Sequence, residues 1–97
     1  MRVDVVGKHL EVTEAIRTYA DTKVAKLLKF SERVQLITVR LEKEPPKHFH
    51  VEVVVDVEKH DDFVGHCKGE DLYHCIDEAV DKVSRQLTTF KEKTKGV

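Results

Sequence analysis

The sequence predicts an α+β fold: a β-α-β-β-β-α two-layer sandwich, with a four-stranded mixed sheet and two helices packed on one face. Three observations carry this expectation. Four stretches alternate apolar and polar residues with period two, the mark of strands with one face in the core. Two longer stretches repeat apolar residues at steps of three and four, the mark of helices with one buried stripe. The first helical stretch lies between the first two strands, whereas the later strands are separated only by short turns. A right-handed parallel crossover followed by an antiparallel meander accounts for that order.

Each element has its own reason. RVDVV at 2–6 alternates as a strand, and Gly7 follows it. Thr13 is placed to cap a helix, with Glu14 in the first turn. Ile16, Ala20, Val24, Leu27 and Leu28 then draw one stripe on a helix of roughly eighteen residues, ending near Phe30. VQLITVRLEK at 34–43 puts Ile37, Val39 and Leu41 on one face. EPPK stops it, because prolines cannot donate to a central ladder. FHVEVVVDVE at 49–58 is the cleanest strand: Phe49, Val51, Val53, Val55 and Val57 point one way, and His50, Glu52, Val54, Asp56 and Glu58 the other. KHDD makes a hairpin turn, and FVGHCK at 63–68 follows with Phe63, Gly65 and Cys67 inward. Gly69 opens the last helix, whose stripe is Leu72, Ile76, Ala79, Val80, Val83, Leu87 and Phe90.

The totals bound the function. The 97 residues suit one domain over 1–97, and 36% charged with 40% hydrophobic residues suits a globular chain. No apolar run approaches membrane-spanning length, so no membrane partner is expected. The start runs straight into a strand pattern without an apolar signal region, which predicts a cytoplasmic protein. Cys67 and Cys75 then read as reduced thiols, one inward and one beside a buried stripe.

The charges of the last helix are sorted. Glu70, Asp71, Asp77, Glu78 and Asp81 precede Lys82, Arg85, Lys91, Lys93 and Lys95. The helix dipole favours such an order by itself. Lys82, Arg85, Thr89 and Lys93 also share one face, and Lys23, Lys26 and Lys29 line a flank of the first helix. With the helices side by side, the rows would form one polyanion-binding surface, Gln86 adding a neutral hydrogen bond. His48 and His50 share the outer sheet face with Glu42, Glu52 and Asp56. A hairpin register setting His66 opposite Val54 would keep His66 apart from His50, so no metal site is expected. Arg40 is placed to pair with Glu52 across strands. No phosphate loop, nucleophile elbow or carboxylate pair accompanies these residues, so neither a cofactor nor an enzyme activity is expected.

Two segments, LEVTEAIRTYADTKVAKL at 10–27 and GEDLYHCIDEAVDKVSRQLTTFKEK at 69–93, resemble the ribosome hibernation-promoting factors, also known as ribosome-associated inhibitor A and under the older label of sigma-54 modulation protein. The resemblance covers essentially the whole chain and implies the same β-α-β-β-β-α fold. It implies binding of the small ribosomal subunit, through its 16S-type rRNA, in the channel of messenger and transfer RNA, and the silencing of idle ribosomes under stress or in stationary phase. The matching basic positions are Lys23 and Lys26 on the first helix and Lys82, Arg85, Lys91 and Lys93 on the second. Asp71 and Tyr73 fit the helix-start motif, Asp71 at the helix N-terminus and Tyr73 against the sheet edge. Thr89 and Phe90 stand where relatives often carry lysine or another polar residue, which thins the basic face. The length matches the short form, which works with a separate factor that dimerises ribosomes. Two alternatives stand beside this reading: a general double-stranded RNA module, and a protein-interaction modulator of a sigma factor.

Overall fold

Alternating residues become a pleated sheet with one dry face. The computed structural model describes residues 2–30 and 33–95, and at 30 and 92–95 the backbone alone. The elements are β1 (Arg2–Lys8), α1 (Glu14–Val24), a 3-10 segment (Ala25–Phe30), β2 (Val34–Glu44), β3 (His48–Val57), β4 (Phe63–Gly69) and α2 (Leu72–Lys95). The sheet order is β1-β2-β3-β4. β1 runs parallel to β2, with Val5 beside Val39, and β2–β3 and β3–β4 are antiparallel. The mixed sheet, the crossover and the meander are those the periodicity predicts.

The dry face is built from Val5, Ile37, Val39, Leu41, Val51, Val53, Val55 and Val57. Onto it pack Ala20, Val24 and Leu27 from the first helical region and Ile76, Ala79, Val80, Val83 and Leu87 from α2, all essentially without solvent contact. Each buried aliphatic side chain is worth about 1.5–3 kcal/mol of transfer free energy. α2 comes very close to β4. A Cβ at Gly65 would lie 2.5 Å from the Ala79 carbonyl oxygen, so only glycine allows this approach. At the far end of the hairpin, His60 stacks on Phe63 at 4.7 Å, and Phe90 of α2 meets both rings. Phe90 thus pins the second half of α2 to the sheet.

Several local expectations change. The helix expected to run to Phe30 ends at Val24 and continues as a 3-10 turn. In that tighter coil residues i and i+3 eclipse, so Val24 and Leu27 stay inside while Leu28 swings out to 41% exposure. β1 runs past Gly7 to Lys8, the two lying beside Leu41 and Glu42 of β2, and the chain then folds back at Leu10 against Gly7, where a side chain would collide. Gly69 closes β4 rather than opening α2. Asp71 is the helix cap, its Oδ1 accepting the His74 N–H at 3.2 Å. His66 faces Glu52, not Val54. The hairpin turns one residue early, about Lys59 with φ 59° and the His60 N–H to Val57 carbonyl bond, and that slides the register by two.

Candidate nucleic-acid interface

The candidate site is the outer surface of the two helices, and the crossover sets its layout. α1 and α2 run side by side and parallel, as the pairing of Lys23 with Asp77 and of Lys26 with Asp81 requires. On a helix of 3.6 residues per turn, Asp77 and Asp81 fall on the flank of α2 toward α1. The Lys23 ammonium lies 3.5 Å from Asp77, and Lys26 donates to Asp81 at 2.9 Å. Tyr19 also donates its hydroxyl to Asp77, at 2.8 Å, while its ring meets Tyr73 edge-on at 4.7 Å. Tyr73 therefore packs against α1, not against the sheet edge as its motif position suggested.

These contacts shift protonation in the directions expected. The Lys26 hydrogen bond holds the Asp81 carboxyl below its ordinary value, helped by the charges of Lys26, Arg85 and Lys23 and opposed by burial. Donation to Asp77 raises the Tyr19 hydroxyl, with burial and the Asp77 charge adding to it. Both ion pairs remain wet, with side-chain exposures of 37–46%. Exposed pairs of this kind contribute only about 0–1 kcal/mol. A phosphate can therefore take over either lysine at little cost.

The other flank of α2 serves the sheet. Lys82 donates to the His66 carbonyl and Gln86 to the Val64 carbonyl, each at 2.7 Å. β4 is an edge strand, and these bonds satisfy two outward carbonyls that no strand covers. Between the flanks, Arg85 stands exposed, with no ion pair among the described residues, and Lys91 is exposed near the end of α2. Lys29 lies exposed on the 3-10 segment. The side chain of Lys93 lies outside the described residues. The structure thus brings Lys23, Lys26 and Arg85 around Asp77 and Asp81, and sets Lys82 and Gln86 on the opposite flank of the same helix.

Sequence reasoning missed the two aspartates as lysine partners, having assigned them to the helix dipole. A signal was present: the four-residue step from Asp77 to Asp81 matches the three-residue step from Lys23 to Lys26 on a neighbouring parallel helix.

The remaining polar groups lie elsewhere. Arg40 donates to Glu52 at 2.9 Å across β2 and β3. His50 and His66, expected apart, have ring centroids 5.7 Å apart because of the register of the hairpin. Cys67 and Cys75 bring their sulfurs to 3.4 Å as free thiols. Burial, with the Cys67 hydrogen bond second, pushes the Cys75 thiol up to about 12, so it stays protonated and packs as a small core residue. Among the described residues no helix is long and apolar enough to cross a membrane.

Comparison with known proteins gives a consistent picture. The family model described as sigma 54 modulation protein / S30EA ribosomal protein matches residues 3–95. A ribosome hibernation promoting factor of Salmonella typhimurium is 35% identical over 98 residues, spanning 98% of each chain. Its counterpart in Escherichia coli K12 is 33% identical over the same share. The N-terminal domain of Thermus thermophilus Protein Y superposes with a TM-score of 0.83 at 31% identity, over 93% of this chain and 99% of that one. A ribosomal subunit interface protein of Coxiella burnetii reaches a TM-score of 0.84 at 16% identity, over 95% of this chain and 99% of that one, and shares the fold.

Proposed function

The chain belongs to the sigma 54 modulation protein / S30EA ribosomal protein family, and on that premise we propose how it performs ribosome hibernation. It associates with the ribosome, and it does so on the small subunit, laying the α1–α2 surface against the phosphates of 16S-type rRNA in the channel that messenger and transfer RNA would occupy. Lys23, Lys26 and Arg85 form the centre of that contact, with Lys29, Lys91 and Lys93 extending it. Lys82 and Gln86 adjoin it while holding the edge strand. The protein works as a plug, without catalysis and without a cofactor, in the cytoplasm. Residues 1–97 act as one ribosome-binding domain, and a separate ribosome-dimerising factor is a further partner.

The observation that carries this reading is the shared cluster of Lys23, Lys26 and Arg85 beside two exposed aspartates. Its cations are positioned, yet only weakly engaged. Each lysine or arginine placed on a phosphate releases counterions, so affinity comes from charge and falls with salt. Few aromatic side chains are exposed on this surface, so recognition rests on backbone shape rather than stacked bases. Co-sedimentation with purified small subunits tests it. Arg85→Glu combined with Lys91→Glu changes exposed residues whose side chains make no hydrogen bond or ion pair among the described residues, and should abolish pelleting while the melting temperature stays within a few degrees. Pelleting equal to that of the wild type would remove the helical surface from the interface. Equal affinity for plain RNA duplexes would replace the ribosome with a general duplex-binding role.

A further inference from the structure

We propose that the sheet face turned away from the helices carries a site for a divalent transition-metal ion of the zinc type, held by Glu42, Glu44 and His50. The topology brings the three together. Glu42 and His50 are register partners across β2 and β3, and Glu44, two residues on, returns to the same face. One ring nitrogen of His50 and one carboxylate oxygen from each glutamate lie within 4.8 Å of one another. Even so, no hydrogen bond or ion pair joins the three side chains.

The second observation concerns the imidazole alone. Its Nε2 is shielded from solvent and has no hydrogen-bond partner. A polar atom left in that condition costs stability unless something binds it. The ring is also packed against His66, whose ring lies 5.7 Å away between centroids and at 88° to it.

Charge points the same way. Two carboxylates converge here, and the cations nearby neutralise them only in part. Lys68 reaches only Glu44, at 3.8 Å, and Arg40 is engaged by Glu52. Lys8, beside Glu42 in the parallel register, makes no ion pair among the described residues. A doubly charged ion between the carboxylates would relieve their repulsion and give the imidazole a partner.

The donor set selects the ion. Imidazole nitrogen with carboxylate oxygen suits zinc and its neighbours, whereas magnesium and calcium prefer oxygen alone. Zinc binds such donors at about 2.0–2.2 Å, which the two flexible glutamates reach by small rotamer changes. Three protein donors leave the remaining coordination to water. The site does not depend on the proposed ribosomal contact, because it lies on the opposite layer of the molecule.

Calorimetric titration of the full chain with zinc chloride, with magnesium chloride as the control, tests the proposal. One zinc equivalent should bind, with magnesium silent. His50→Gln and, separately, Glu42→Gln should each weaken it by about tenfold or more, while His74→Gln, on α2, leaves it unchanged. In proton NMR the His50 ring signals should move before those of His9, His60 and His74. Equal zinc affinity in the wild type and in a folded His50→Gln chain overturns the site. So does weak uptake spread over several histidines, or no binding at all.

Discussion

Gly65 is where helix and sheet come closest, and its lack of a side chain is a packing requirement. A methyl group there would meet the Ala79 carbonyl oxygen at 2.5 Å and the Val83 side chain at 2.8 Å. Gly65→Ala should lower stability by about 1–3 kcal/mol, read as an earlier urea midpoint, because α2 must lift off β4. Asp81 makes the opposite kind of case. Its folded pKa lies below its unfolded value, so the stability it lends is present above the unfolded value and is lost as pH falls through the folded one. Acidification below the ordinary carboxylate range, or Asp81→Asn at neutral pH, should therefore release Lys26. The stability cost of the substitution should stay within about 1 kcal/mol. Small-subunit affinity should rise by up to about fivefold, the same free energy read as binding. A looser complex for Asp81→Asn, measured by sedimentation at fixed salt, would show that Lys26 does not contact phosphate.

At the scale of elements, α2 has two separate duties on two flanks. Lys82 and Gln86 close the outer edge of β4, while Asp77 pairs with α1 and Asp81 with the 3-10 segment that follows it. Changing Lys82 and Gln86 together to alanine should cost about 1–3 kcal/mol, as two hydrogen bonds are lost. It should also expose two bare carbonyls on an edge strand, so light scattering should detect self-association sooner than in the wild type. The stripe of α2 and the alternation of β3 were legible in the sequence, because long periodic runs admit one reading. The 3-10 turn was not: a three-residue and a 3.6-residue repeat both keep Val24 and Leu27 inside, and the two part at Leu28. Nor was the hairpin register, which depends on Lys59 adopting a left-handed backbone that its residue type does not announce. The basic residues proposed for the interface were named from the sequence without their intramolecular partners, since the dipole already explained where the acids sit.

The whole molecule is a narrow body of 48 × 21 × 19 Å with a different chemistry on each broad side. Lysines and an arginine gather around Asp77 and Asp81 on the helices, and the opposite sheet face holds carboxylates and imidazoles together with Lys8, Arg40 and Lys68. A net charge of −1 conceals this two-sidedness, and local fields rather than the sum govern what approaches within a Debye length of about 8 Å. If about four cations meet phosphates, raising salt from 50 to 200 mM should weaken small-subunit binding roughly a hundredfold, measured across a gradient series. A flat salt response would mean that the contact is not electrostatic. The clasp between the helices has one more consequence. Lys23 and Lys26 are already stretched over carboxylates that imitate the anion they would later grip, so changing partners surrenders little further freedom of motion. In the proposed contact the same acids stand alongside to reclaim them, so leaving the phosphates would not strand either lysine without a partner.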